Sequence, residues 1–205
     1  MATARASTSP SGDRRVRRTR SALAQALLRL VEQRDLARIS VSDVAEDAGV
    51  SRSAFYDHYR DVHELAEDAC TAMIDDLIES LPGPALNSPD LVREATRSLE
   101  AFFASLAGHA GLYRALLGPH GSARVAGHIR RRISAVIQDR LAHADAGEWP
   151  ERFPHDVTAS FAAGALMGVA ADWLEGGCPR APAEMAGVTW PLLNAHYRVD
   201  ESASG

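Results

Sequence analysis

Apolar residues recur three and four positions apart along nearly the whole chain, and strand-like alternation is scarce, which is the pattern of amphipathic helices. Leu23, Leu27, Leu30 and Val31 share one face of a first helix expected over about 16–33. Val41, Val44, Ala45 and Ala48 define a second, short helix, and Phe55 with Tyr59 the inner side of a third over about 52–59. Leu65, Ala69, Met73 and Leu77 mark a fourth over about 62–81. Pro82-Gly83-Pro84 ends it and is the expected domain boundary. Ser88-Pro89-Asp90 opens a fifth helix with Pro in its first turn, carrying Val92, Leu99, Phe102, Phe103 and Leu106. A sixth covers about 109–117 with Tyr113, Leu116 and Leu117, closed by Gly118-Pro119. The seventh, about 122–144, has one stripe of Val125, Ile129, Ile133, Val136, Ile137 and Leu141. An eighth, about 155–175, is apolar nearly all round and so calls for burial on several sides. The ninth, about 182–197, carries Met185, Val188, Leu192 and Leu193, and Pro191 is expected to bend or interrupt it. About nine helices make an all-α fold.

The stretch ISVSDVAEDAGVSRSAFYDHYRDVHEL, residues 39–65, holds the densest local signals. Ser40 is an N-cap, and Asp43 three residues on completes a capping-box pattern. Gly49 stands where a positive φ ends the second helix, Val50 plugs the turn, and Ser51 caps the third helix. Two short capped helices around a glycine turn read as a helix-turn-helix. The outer side of the third helix offers Arg52, Ser53, Tyr56, Asp57 and His58, the polar, aromatic and basic groups that major-groove reading requires. An ordinary helical hairpin inside an all-α domain is the bland alternative.

Charge is unevenly spread. Residues 1–60 hold 11 Arg against 7 acidic residues, a net +4, whereas 61–205 hold 11 Arg against 20, a net −9. A basic head on an acidic body suits nucleic-acid binding at one end. There is no Lys, so all 22 basic residues are Arg. Residues 1–13 are small and polar, an expected disordered tail. Arg14, Arg15, Arg17, Arg18 and Arg20 follow as a basic arm or helix start that contacts phosphates or the minor groove, or stays solvated. Arg130, Arg131 and Arg132 fall mostly off the apolar stripe and read as a solvated face rather than a second anion site.

The motifs DVA, AGVS, FYxHY and D-x-x-EL of this stretch resemble the DNA-binding signature of the TetR/AcrR family of bacterial transcriptional regulators, and with the preceding helix the resemblance covers about 15–81. It implies an N-terminal DNA-binding domain with its linker helix over 14–81, a regulatory and dimerisation domain over 82–199 and a disordered end at 200–205. It also implies roles. Arg52 and Ser53 match positions that reach base edges, Tyr56 a base or phosphate contact, and His58 a phosphate contact. Ser40 and Ser42, near the start of the preceding helix, are candidates to bind phosphate through side chain or backbone, and Ser51 is a further DNA-binding candidate. Where relatives place a Lys, this chain has Val62, so Arg60 or the basic arm is expected to stand in. Repression is the family's usual mode, and the resemblance implies release of DNA by a small-molecule effector; a reducing cytoplasm is expected from the widely separated Cys70 and Cys178. A coactivator that binds a partner protein instead of operator DNA is the alternative, and Val62 is the residue that favours it.

The second half carries ALLG, GSARVAGHIRRRI and FAAGALMGVAADWLEGG, a looser resemblance to TetR-like regulatory domains. Gly164 and Gly168 allow a close helix approach, and excess apolar surface on the last two helices suggests a homodimer through a four-helix bundle, unless both are buried within one subunit. Met73, Phe102, Phe103, Leu106, Tyr113, Leu166 and Trp173 are candidate walls of an effector pocket, or plain core. Asp172 is a polar anchor for an effector, a partner for Arg across a dimer, or surface. Trp149 sits in a loop as lid or packing.

Nothing points to catalysis. The chain has eight His but no HExxH, no P-loop, no GxSxG and no paired Cys, so no enzyme, cofactor or metal is expected. Cys70 and Cys178, far apart, suit a reducing compartment. Cys70 reads as inert packing before it reads as a redox sensor. The longest uncharged run, 157–171, is too short for a membrane span.

Overall fold

The computed structural model describes residues 10–81, 90–143 and 154–195, and side chains from Arg14 onward. The expected Pro82-Gly83-Pro84 boundary, Ser88 and Pro89, Trp149, residues 1–9 of the expected tail 1–13 and the expected end 200–205 lie outside the described residues, whereas Pro10–Asp13 belong to a helix instead of that tail. Those that are described form α-helices and one 3-10 turn, with no strand among them. Contacts group the chain into two units, Met1–Ala69 and Cys70–Gly205. The division falls within a continuous helix, ahead of the proline-rich stretch.

In the first unit, α1 runs over Pro10–Val31, starting earlier than the apolar pattern shows. Pro10 is its first residue, and a proline there is pre-set for helical φ and gives up no intrahelical bond. The inner face is Leu23, Ala26 and Leu27, all fully buried. A 3-10 turn over Leu36–Arg38 leads to α2, Val41–Asp47, and α3, Arg52–Tyr56. Helix α3 stops short of the expected residue 59, but His58 and Tyr59 still donate their N–H groups to the Phe55 carbonyl at 2.9 and 3.0 Å. Phe55 is fully buried with Val44, Leu65 and Ala66, so truncating it to Ala costs on the order of 3–5 kcal/mol. Helix α4 spans Val62–Ser80.

The second unit holds the rest of α4 and five further helices: α5 over Leu91–Gly108, α6 over Ala110–Leu117, α7 over Ala123–Ala142, α8 over His155–Glu175 and α9 over Pro182–Ala195. Helix α9 packs on α5, α8 packs on α7, and α6 fits against both α7 and α8. The core is Leu99, Phe103, Leu106, Tyr113, Leu116, Ile129, Ala163, Ala170 and Leu174.

Four expectations need correcting. Val92 is exposed, because α5 buries Ala95, Leu99, Phe102, Phe103 and Leu106 on a face that leaves it outside. Burial of α8 wholly within one subunit fails: in the single chain Val157, Phe161, Gly164, Gly168 and Asp172 are exposed and fall on one stripe. Its 21 residues also exceed the uncharged run, so α8 is long and apolar enough by composition to span a membrane, a test that a core helix also passes. Pro191 does not interrupt α9. Both Pro191 and Gly187, four residues earlier, are exposed, so the carbonyl that loses its N–H partner faces solvent instead of the core.

Candidate nucleic-acid interface

The local chemistry of α2 and α3 explains their placement. Ser40 Oγ accepts from Asp43 N at 3.2 Å while the Asp43 carboxylate accepts from Ser40 N at 2.8 Å and from Ser40 Oγ at 2.6 Å. The hydrogen bonds from the Ser40 hydroxyl and backbone, with lesser help from Arg34 at 3.1 Å, hold the Asp43 carboxyl below its ordinary range. Gly49, at φ 66°, reverses the chain, and Val50 N donates back to the Ala45 carbonyl at 2.9 Å. Ser51 Oγ then accepts from Ala54 N at 3.1 Å.

With Phe55 turned inward, Arg52, Ser53 and Tyr56 are exposed on the other side of α3, Tyr56 at 53%. Tyr56 is steadied by an edge contact to Phe55, with ring centroids 5.7 Å apart. His58 is half-buried beside Tyr59. Ser42 is exposed at the first turn of α2. The structure therefore brings Ser42, Arg52, Ser53, Tyr56 and His58 into one unit as accessible groups.

The other candidates are committed elsewhere. Both Ser40 donors face Asp43. The Ser51 hydroxyl caps α3 and lies 2.9 Å from that of Ser53. Arg60 donates from its backbone N and from Nε to Glu64, at 2.7 and 3.1 Å. Those bonds raise the Arg60 pKa and lower that of Glu64. The pair is solvent-exposed and therefore weak. Val62 is buried, so this position presents no cation.

Of the arginine run, Arg14, Arg15, Arg17, Arg18 and Arg20 all lie on exposed turns of α1. Arg20 does something the sequence did not reveal. Its Nη2 donates to both Asp68 carboxylate oxygens, at 2.8 and 2.9 Å, and its Nε donates to the Tyr59 hydroxyl at 3.0 Å. Tyr59 in turn donates to Asp68 Oδ2 at 2.7 Å. Burial, then the Asp68 hydrogen bond, pushes the Tyr59 phenol up to about 12. The available sequence signal was Tyr59 itself: a tyrosine on an inner face needs a partner for its hydroxyl.

The effector candidates of the second unit are mostly core. Phe102, Phe103, Leu106, Tyr113, Leu166 and Trp173 are buried and Met73 half-buried. Phe103 meets Phe102 and Trp173 edge-on at centroid distances of 5.5 and 5.3 Å, and Trp173 Nε1 donates to the Arg180 carbonyl at 3.0 Å. The Tyr113 hydroxyl is buried and closes no well-aligned hydrogen bond. Asp172, expected as a polar anchor, is exposed on the outer stripe of α8, so it lines no interior wall. Among the described residues, no group of three or more His, Cys, Asp and Glu side chains is placed to hold a metal ion.

Two family models match this chain: "Bacterial regulatory proteins, tetR family" over residues 23–69 and "Transcriptional regulator C-terminal region" over 94–194. The HTH-type transcriptional regulator EthR of Mycolicibacterium smegmatis is 28% identical over 162 residues, covering 73% of this chain and 70% of EthR. The HTH-type transcriptional regulator YxbF of Bacillus subtilis is 34% identical over 95 residues, which span 46% of this chain and a quarter, 25%, of YxbF. A tetR-family regulator of known structure from Streptomyces coelicolor superposes with a TM-score of 0.68 at 21% identity, over 91% of this chain and 85% of that one. The chain belongs to the TetR family of bacterial transcriptional regulators.

Proposed function

We propose that this regulator is a cytoplasmic homodimer that binds a pseudo-palindromic operator, represses transcription there, and is released by a small-molecule effector. The observation that carries the reading is the exposed side of α3, where Arg52, Ser53 and Tyr56 stand opposite the buried Phe55. A short capped helix with that face presents its first residues to base edges in a major groove. Dimerisation is supported by the outer faces of α8 and α9, where Val157, Phe161, Val188 and Leu192 are 50–62% exposed. Such apolar stripes on adjacent helices suit a two-fold four-helix contact. Effector binding is supported by the Tyr113 hydroxyl, which is buried without a well-aligned hydrogen bond, since such a group gains from a ligand that meets it. An effector acts only by its difference in affinity between the DNA-competent and released states.

The test is footprinting of the purified protein on the DNA flanking its own gene, at two salt concentrations. A protected pseudo-palindrome with steeply salt-dependent affinity is the expected result. Binding to neither that DNA nor any member of a random duplex library overturns the reading, and leaves a protein-binding coactivator in its place.

A further inference from the structure

Arg20 closes the arginine run of α1, and by position and charge it belongs with the groups expected to touch phosphate. Its geometry says otherwise. The guanidinium, half-exposed, turns Nη2 to one carboxylate and Nε to one phenol, and it also lies 5.6 Å from the Tyr59 ring centroid. The three residues come from three places: α1, the turn after α3, and the first part of α4. Tyr59 is both acceptor from Arg20 and donor to Asp68, so each of the three polar groups contacts the other two. The Tyr59 ring packs at 6.0 Å on Phe55, which meets Tyr56 on the exposed side of α3. A five-residue helix has too few internal hydrogen bonds to hold its own orientation.

We infer that Arg20, Tyr59 and Asp68 are positioning residues for DNA recognition, which set the attitude of α3 through Tyr59 and Phe55, and that Arg20 is not itself a phosphate contact. The inference rests on the DNA-binding reading above. It goes further by predicting that an acidic residue, Asp68, strengthens binding to a polyanion. Simple electrostatics gives the opposite sign, because removing a negative charge from a DNA-binding unit favours association.

Arg20→Ala, Asp68→Asn and Tyr59→Phe would be compared with the wild-type protein. Affinity would be measured for a duplex selected by the wild type from a random library, as a function of salt and well below each melting temperature. All three variants are expected to bind roughly five- to tenfold more weakly, the effect of losing one or two net hydrogen bonds. The slope of log affinity against log salt should stay that of the wild type. A slope reduced by about one in Arg20→Ala would make Arg20 a phosphate contact and overturn the inference. Tighter binding by Asp68→Asn would also overturn it. Unchanged affinity in fully folded variants would reduce the triad to a stabilising contact. Should either charge variant fail to fold, Tyr59→Phe, which keeps the ring packing, decides the matter.

Amide hydrogen exchange without DNA supplies an independent arm. Protection over residues 52–59 should fall in the variants while that of α1 is retained. Unchanged protection at 52–59 refutes the positioning role. This arm stands even if the wild type selects no duplex, an outcome that would refute the DNA-binding reading alone.

Discussion

Ser40 and Asp43 saturate each other: both Ser40 donors go to Asp43 Oδ2, and the Ser40 hydroxyl takes the Asp43 N–H in return. Ser40→Ala is therefore expected to lower the melting temperature while leaving the salt dependence of DNA binding unchanged. Asp43 sets the pH behaviour of this contact. Its folded pKa is depressed, so the stabilisation is complete above the ordinary value of 3.8 and is lost as pH falls through the folded value. Acid melts should show wild type and Ser40→Ala converging at the lowest pH. A constant gap between the two curves would mean that the capping box carries no linkage.

Arg52 and Ser51 are neighbours with opposite expected signatures. Arg52→Ala should cost about 1–3 kcal/mol of specific binding and relax one base preference, if it reaches a guanine edge. Ser51→Ala should cost roughly 1 kcal/mol of folding stability through the lost N-cap, with base preference intact. Calorimetric melts and binding to a panel of single-base operator variants separate the two effects.

Asp75 of α4 accepts from Arg132 Nε at 2.6 Å and lies 3.0 Å from His128 Nε2, both on α7. Burial alone pushes the Asp75 carboxyl up, but the His128 and Arg132 hydrogen bonds together outweigh it and leave the pKa depressed. The contribution is thus present above the ordinary 3.8 and disappears as pH drops through the folded value. Asp75→Asn should lower the melting temperature at pH 7 and flatten its fall in acid. An unaltered acid profile would assign the acid sensitivity to other carboxylates.

Leu192 is 62% exposed on α9. If it lies in a two-fold interface, each copy buries about 1.5–3 kcal/mol of side chain, and the symmetry counts the loss twice. Leu192→Asp should convert dimer to monomer in sedimentation velocity. A wild type that is already monomeric at micromolar concentration would refute dimerisation through this face.

Cys70 is fully buried and its thiol is pushed up to about 12 by burial, whereas Cys178 is partly accessible at a positive φ of 57°. Iodoacetamide at neutral pH should label Cys178 first and Cys70 only on unfolding. Early labelling of Cys70 would restore the redox-sensor reading, since thiolate reactivity needs access as well as ionisation.

What was legible in the sequence is what neighbouring residues decide among themselves. The Ser40 and Ser51 caps, the Gly49 turn, the inward Phe55 and the limits of α8 follow from spacings of a few residues, and the structure repeats them. Long-range pairing has no such signature. Arg20 meets Tyr59 and Asp68 across 39 and 48 positions, and Arg132 meets Asp75 across 57. Each arginine therefore read as solvated or DNA-facing charge. Whether the excess apolar surface of α8 is covered within one subunit stayed open for a related reason. Periodicity shows that Val157 and Phe161 are apolar, but not whether the surface that covers them belongs to the same chain.

The brevity of α3 has a consequence for how the reading surface comes into being. Five residues, Arg52–Tyr56, cannot repay the cost of nucleating a helix in water, so a synthetic peptide spanning 50–60 would be a random coil. The helix persists because Phe55 is buried in the core of the first unit together with Leu23, Leu27, Val44 and Leu65. The side of α3 proposed to read DNA is thus present only in chains whose first unit has closed. A newly made or partly unfolded chain would have no sequence preference to lose.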